Sequence, residues 1–137
     1  MSDFIQWRAS LALGIPEIDA QHRALVALIN RLACTNSNDE VQRLLQRLYQ
    51  KSQEHFESEA SLMRAFKYAG LPEHQREHVM LLGELKCFIN QLEAGIERLD
   101  EEALQELKAW FIAHLRGSDR PMANAYHRVE KPRRRGY

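Results

Sequence analysis

The chain is poor in the features that mark secreted, membrane-spanning and nucleic-acid-binding proteins. It has only two cysteines, Cys34 and Cys87, and their spacing matches neither a CxxC motif nor a zinc site. No apolar run approaches the roughly 18 residues of a membrane span, and residues 1–10 lack the apolar segment of a secretory signal. Basic and acidic residues balance at 19 each, so no net charge attracts nucleic acid. We therefore expect a cytoplasmic protein with no nucleic-acid partner and no membrane insertion.

What the chain does contain is a helical pattern of apolar residues. Hydrophobic residues make up 45% of its 137 residues, enough for one domain with a core. Apolar positions recur at alternating steps of three and four, the period of a helix that packs in a bundle. Short connections between such helices favour antiparallel neighbours. The prediction is an all-α, up-down-up-down four-helix bundle, with stripes over residues 18–32, 41–66, 74–92 and 104–114.

Residues outside the four stripes predict the helix ends and the two chain termini. Asp19, Asp39 and Asp100 are expected to begin helices one, two and four. Pro72 fits a first turn, and Gly95 fits the position just past the end of helix three. Residues 1–17 read as an extended N-terminal arm, so residues 1–119 form the bundle with its arm. Residues 120–137 are predicted to be a C-terminal tail that is partly disordered.

Polar side chains occupy positions in these stripes where Leu or Ile would otherwise stand. The helix period places them on the inner faces, near the start of helices one and three and near the end of helices two and four. In an antiparallel bundle these four places lie at the same end, so the side chains should converge in one layer. The residues are His22, His55, Glu59, His74, His78 and His114.

Asp119 joins this set only if the backbone changes its period. It follows His114 by five residues, which on a regular helix rotates it by about 140°. Both side chains can face the same point only if the helix widens or loosens between them. Gly117 and Ser118 lie in that interval, so we expect a π-type turn there.

Together these seven residues predict a metal centre, although a single histidine in a core is more often structural. Five imidazoles and two carboxylates exceed the needs of one ion, and the absence of a thiolate argues against structural zinc. The set suits two iron ions about 3.5 Å apart. If both carboxylates and a hydroxide or oxide bridge the irons, three histidines complete one octahedron. The other two histidines leave one coordination position open on the second iron.

Four segments carry a resemblance to a known family: GIPEIDAQH at 14–22, HFESEASLM at 55–63, HQREH at 74–78 and WFIAHLRGSD at 110–119. With these motifs the chain resembles the hemerythrins, in particular the single-domain bacterial type. The resemblance implies a four-helix bundle with two iron ions (Fe²⁺/Fe³⁺) bridged by oxo or hydroxo, and no haem. His74, His78 and His114 would hold the saturated iron, and His22 and His55 the iron with the open position. Glu59 and Asp119 would bridge, and dioxygen would bind at the open position.

An oxygen site also needs a dry pocket. The expected lining comes from apolar residues close to the ligands in sequence, although the same spacing fits an ordinary core. Trp110 and Leu115 are favoured because they lie one turn before and one residue after His114. The candidates are Ile18, Leu25, Phe56, Leu62, Trp110, Phe111 and Leu115.

Three functions are compatible with such a centre. The first is reversible dioxygen binding, for storage, delivery or buffering, with release to a protein acceptor that the sequence leaves open. The second is an oxygen or redox sensor that acts through a separate partner. The third is a di-iron peroxidase or nitric oxide-consuming enzyme. No acid–base residue or redox cysteine pair is placed beside the predicted site, so we expect a binding protein and not an enzyme.

Overall fold

A computed structural model describes residues 4–96 and 98–135 of the protein, and helices make up most of these residues. The five α-helices are α1 (Pro16–Cys34), α2 (Asn38–Ala65), α3 (Leu71–Glu93), α4 (Glu101–His114) and α5 (Arg120–Arg135). A π turn over Leu115–Asp119 joins α4 to α5, and the described residues contain no strand. The predicted all-α class is confirmed. None of the described helices is apolar enough over sufficient length to cross a bilayer.

The helices begin and end at residues that satisfy their free backbone groups. The Ser37 hydroxyl accepts the N–H of Glu40 at the start of α2, and the Asp100 carboxylate accepts the N–H of Ala103 at the start of α4. Pro72 lies in the first turn of α3, and Gly95 has a positive φ of 75° just past its end. Ser37, and not Asp39, therefore caps α2.

Asp19 does not begin helix one, because α1 already starts at Pro16. Its carboxylate instead accepts the backbone N–H groups of Leu13 and Gly14, at 2.7 Å and 3.1 Å. These bonds fix the end of the N-terminal arm against the first turn of the bundle. Asp19 therefore acts on the preceding loop, a role that the capping pattern did not predict.

The apolar stripes meet in one core. Helix α1 packs against α2 and α4, and α2 packs against α3. Ile29, Leu48 and Met63 are fully buried in the centre of the bundle. Burial of these side chains is the main source of stability for helices of this length. The stripe that forms this core also carries the polar residues to one end of the bundle.

The C-terminal segment is helical, which departs from the expected partly disordered tail. Met122 and Ala123 in α5 are fully buried. Arg120 donates from Nη2 to the carbonyl of Ser10 at 2.8 Å, and His127 donates from Nε2 to the carbonyl of Leu13 at 2.7 Å. This apolar face and these bonds to the arm give α5 the partners that a solvated tail would lack. The side chains of residues 131–137, including the basic run KPRRR, lie outside the described residues.

Candidate metal centre

The seven predicted polar residues meet at one end of the bundle. Helix α1 supplies His22, α2 supplies His55 and Glu59, α3 supplies His74 and His78, α4 supplies His114 and the π turn supplies Asp119. Both carboxylates are fully buried, and no histidine of the set is more than 8% exposed. Side chains of this kind are buried only when partners offset the loss of solvation.

Glu59 lies between two groups of imidazoles. Its Oε1 atom is 3.2 Å from Nε2 of His74 and 3.0 Å from Nε2 of His78. Its Oε2 atom is 3.0 Å from Nε2 of His55 and 3.8 Å from Nε2 of His22. One oxygen of the carboxylate thus faces the α3 histidines, and the other faces the histidines of α1 and α2.

Asp119 repeats this arrangement from the other side. Its Oδ1 atom is 3.1 Å from Nε2 of His114 and 3.3 Å from Nε2 of His74. Its Oδ2 atom is 3.0 Å from Nε2 of His22. Each carboxylate therefore offers one oxygen to each imidazole group. The ligand atoms form two overlapping sets whose members lie within 4.8 Å of one another: Glu59, His74, His78, His114 and Asp119, and His22, His55, Glu59 and Asp119.

Several of these close atoms do not form hydrogen bonds with one another. Glu59 Oε2, both Asp119 oxygens, His55 Nε2 and His114 Nε2 are buried without a hydrogen-bond partner among the described residues. Buried polar atoms are nearly always paired, and an unpaired one costs about 1–3 kcal/mol. These oxygen and nitrogen atoms approach one another to about 3 Å, but not with the geometry of a hydrogen bond. Their lone pairs therefore converge on shared points between the side chains. Cations at those points would satisfy all of these atoms, so the residues fit a metal centre with nitrogen and oxygen ligands.

The electrostatics of the cluster show that it is balanced for charge without a metal. Burial opposes the charged form of His74 and His114, but contacts with Asp119 and Glu59 raise the pKa of each imidazole to about 9. Burial also opposes the charged form of Glu59, yet the charge of His55 and the hydrogen bonds from His74 and His78 hold its pKa well below the ordinary value. Protons and metal ions therefore compete for the same lone pairs.

A neutral amide orients His55 from outside the cluster. Gln21 donates from Nε2 to the hydroxyl of Ser58 at 3.1 Å, which turns its Oε1 atom toward His55. His55 Nδ1 lies 2.7 Å from that oxygen and donates to it. The proton therefore resides on Nδ1, and the Nε2 lone pair is free to face the carboxylates.

A carboxylate does the same for His114. Nδ1 of His114 donates to Oε1 of Glu77 at 2.8 Å, and the Ser118 hydroxyl donates to Oε2 of Glu77. Burial raises the pKa of Glu77, but Ser118 and His114 outweigh it and lower the pKa below the ordinary value. Neither Glu77 nor Gln21 was among the predicted site residues. The sequence signal for them was position, because Glu77 directly precedes His78 and Gln21 directly precedes His22.

The π turn is present where the spacing required it. The N–H of Arg120 bonds to the carbonyl of Leu115, five residues back, within the segment Leu115–Asp119. This wider turn brings Asp119 onto the same side as His114 despite the five-residue interval. The predicted deviation at Gly117 and Ser118 is therefore confirmed by the backbone.

A small cavity of about 10 Å³ adjoins the cluster and is lined by both His22 and His55 and by His114 and Asp119. Four of the seven predicted pocket residues line it, namely Leu25, Phe56, Trp110 and Phe111. Three do not line it: Ile18 and Leu115 lie in the hydrophobic core, and Leu62 packs against that core. The place of these three residues in an oxygen pocket therefore stays a prediction.

Two residues of the cavity wall were not predicted. Ser52 and Leu81 line the cavity together with His22, His55, His114 and Asp119. Ser52 lies three residues before His55, and Leu81 lies three residues after His78. Positions at this spacing share a helix face with the histidines, which was the sequence signal for both.

Comparison with known proteins agrees with this geometry. The family model described as the hemerythrin HHE cation binding domain matches residues 13–126. A bacteriohemerythrin of Ralstonia nicotianae is 30% identical over 118 residues, which cover 86% of this chain and 85% of that protein. A bacteriohemerythrin of Stenotrophomonas maltophilia is 26% identical over 121 residues, covering 86% of this chain and 78% of that protein. A crystal structure of wild-type hemerythrin shares the fold, with a TM-score of 0.80 over 88% of this chain and 96% of that chain at 23% identity.

The fold and the cluster define a class of helical-bundle proteins that bind metal through histidine and carboxylate side chains. Within that class, the chain belongs to the hemerythrin family. Members of this family bind non-haem iron and dioxygen, and they are oxygen-binding carriers rather than enzymes. The predicted resemblance and the non-enzymatic class are confirmed.

Proposed function

We propose that this protein binds dioxygen reversibly at a pair of iron ions held by the seven-residue cluster. The observation that carries the proposal is the orientation of Glu59 and Asp119. Each carboxylate presents one oxygen to His74 and its neighbours and the other to His22 or His55. Carboxylates that face two groups of ligands in this way suit two metal ions bridged by both side chains.

The imidazoles divide unequally between the two ions. His74, His78 and His114 would hold one iron, and His22 and His55 would hold the other, with Glu59 and Asp119 as bridges. The second iron would thus have one protein ligand fewer, which would leave a position for an exogenous ligand. The two overlapping ligand sets correspond to this division. When bound, the iron pair supplies the electrons and the coordination position for dioxygen.

The cavity supports the same assignment because both His22 and His55 line it, whereas His114 is the one histidine of the other group that does. Its volume of about 10 Å³ matches the minimum that a single water-sized molecule needs. Leu25, Phe56 and Phe111 give it mostly apolar walls. Such walls exclude bulk water from the reacting atoms and thereby slow irreversible oxidation of the iron.

The residues behind the ligands keep the imidazoles in place. Gln21 and Glu77 accept the Nδ1 protons of His55 and His114, so both rings are fixed in rotation and tautomer. The finer role that we propose is storage, delivery or buffering of oxygen in the cytoplasm, with transfer to a protein acceptor. We propose this role because, among the described residues that line the cavity, the acid–base side chains are those of the ligand cluster itself.

The experiment that tests this function is an iron count combined with a visible spectrum. The protein is purified and reduced without air, its iron is measured, and spectra are recorded before air, after air and after vacuum. We expect two irons per chain and an absorption band that appears with air and disappears under vacuum. One iron per chain, or a stable oxidised spectrum after the first exposure to air, would contradict the proposal.

A further inference from the structure

The cavity beside the cluster contains a hydroxyl group without a partner. Ser52 lies on α2, is 1% exposed and lines the cavity together with His22 and His55. No described residue offers its Oγ atom a hydrogen bond. A helical serine commonly bonds back to the carbonyl of the preceding turn, but Ser52 does not.

An unpaired hydroxyl at this buried position destabilises the folded protein unless a bound molecule forms a hydrogen bond with it. A buried donor that makes no hydrogen bond has lost its hydration without compensation. Alanine would fit the same helical position and has a higher helix propensity. Another residue that lines the cavity, Trp110, also has a buried donor, Nε1, without a partner among the described residues. The cavity is therefore apolar over most of its surface but has two free hydrogen-bond donors.

We propose that the Ser52 hydroxyl donates a hydrogen bond to the small anionic or polarised ligand that binds in this cavity. The proposal rests on the function assigned above, because it takes the ligand to be held at the iron of His22 and His55. Ser52 is then a positioning residue that contacts the ligand. It favours ligands that carry negative charge on the atom farthest from the iron. A hydrogen bond to a charged group in a dry site is stronger than one between neutral groups.

The test uses azide, a small anion, as the probe with the oxidised, iron-loaded full-length protein. Wild type is compared with Ser52→Ala and with Ser61→Ala, a matched control on the same helix whose side chain is exposed. We expect Ser52→Ala to weaken azide binding by about tenfold or more, mainly through faster dissociation. Ser61→Ala should bind as wild type does. Ser52→Cys, which keeps a weak donor, should fall between wild type and Ser52→Ala.

A spectroscopic signature separates a direct contact from a structural effect. In wild type, the infrared stretch of bound azide should shift when H₂O is replaced by D₂O, and the shift should be lost in Ser52→Ala. Equal azide affinity and an equal isotope shift in both proteins would overturn the inference. So would a wild-type azide band without any isotope shift, since the hydroxyl would then serve a resident water. A wild-type protein that lacks two irons or binds no azide would overturn the proposed function itself.

Discussion

At the scale of single residues, His55 and His114 differ in the charge of the side chain that accepts their Nδ1 proton. His55 is backed by the neutral amide of Gln21, whereas His114 is backed by the carboxylate of Glu77. A carboxylate raises the basicity of the imidazole that it contacts and holds the ring more firmly than an amide does. The cluster is thus electronically asymmetric, with the stronger support on the side of His114.

Glu77→Gln tests this support because it keeps the shape of the side chain and removes its charge. We expect the affinity for iron to fall by about 10–100-fold, as is usual for partners of metal-binding histidines. The measurement is iron retention against a chelator of known affinity. Glu84→Gln, an exposed position on the same helix, is the matched control. Equal retention by Glu77→Gln and wild type would show that the carboxylate does not support His114.

At the scale of secondary-structure elements, the π turn and α5 determine how the fourth helix completes the site. The wider turn brings Asp119 to the cluster, and the helix that follows bonds to the N-terminal arm. Met122 in α5 is fully buried, and His127 bonds to the carbonyl of Leu13. One continuous helical segment therefore supplies the second carboxylate and anchors the arm.

Gly117 in the π turn and Gly14 in the N-terminal arm should respond oppositely to substitution by alanine. Gly117 lies in the π turn, where an added Cβ meets no atom within 4 Å. Gly117→Ala should therefore raise the free energy of unfolding by about 0.5–1 kcal/mol, because glycine in a helical segment costs that much. Gly14 has a φ of +77°, and an added Cβ would lie 3.0 Å from Nε2 of His127. Gly14→Ala should lower the free energy of unfolding by about 1–2 kcal/mol or more.

Chemical denaturation of the two iron-loaded variants measures both effects. Iron content should be unchanged in Gly117→Ala. A destabilised Gly117→Ala protein would mean that the π turn needs glycine for its conformation.

Met122→Ala tests whether α5 belongs to the core. The side chain is fully buried, so we expect a loss of about 2–5 kcal/mol in the free energy of unfolding. Val129→Ala, at a position 37% exposed in the same helix, should change stability much less. Urea unfolding of both variants gives the comparison. Equal small effects at the two positions would restore the view of residues 120–137 as a loosely attached tail.

Periodicity was enough to predict the bundle, because each stripe carries its own apolar and polar positions. It also predicted the π turn, since the spacing of His114 and Asp119 allowed no regular helix. The contacts of Asp19 with the arm and the burial of Met122 depend on which segments meet in space, which a local pattern does not contain. Ser52 was not predicted as a site residue for another reason. A serine at a stripe position is commonly a tolerated small residue, and only the structure shows the cavity beside it.

At the scale of the whole molecule, positive charge balances the buried carboxylates of the cluster both with and without metal. Protons on the histidines supply this charge when metal is absent. In the metal-free protein, His74 and His114 carry protons at neutral pH because their pKa values are raised to about 9. Burial lowers the pKa of His78, so that residue titrates below its ordinary value of 6.5. Metal ions replace these protons when they bind.

This exchange predicts the pH dependence of the metal-free protein. Histidines whose pKa is higher in the folded state stabilise it fully below pH 6.5, and that contribution is lost as the pH rises to about 9. We expect the urea midpoint of the metal-free protein to fall across this interval. The iron-loaded protein should change little, since its ligands are already deprotonated. A metal-free midpoint that stays level or rises between pH 6.5 and 9 would contradict the charge balance described for the cluster.

Reversible uptake of dioxygen is the central claim, and a gas-exchange titration of the reduced protein tests it most directly. Known amounts of dioxygen are added to protein with two irons per chain, and the gas released under vacuum is measured. We predict that each chain takes up one dioxygen molecule and returns it intact over repeated cycles. Uptake without release, with both irons left oxidised, would contradict it.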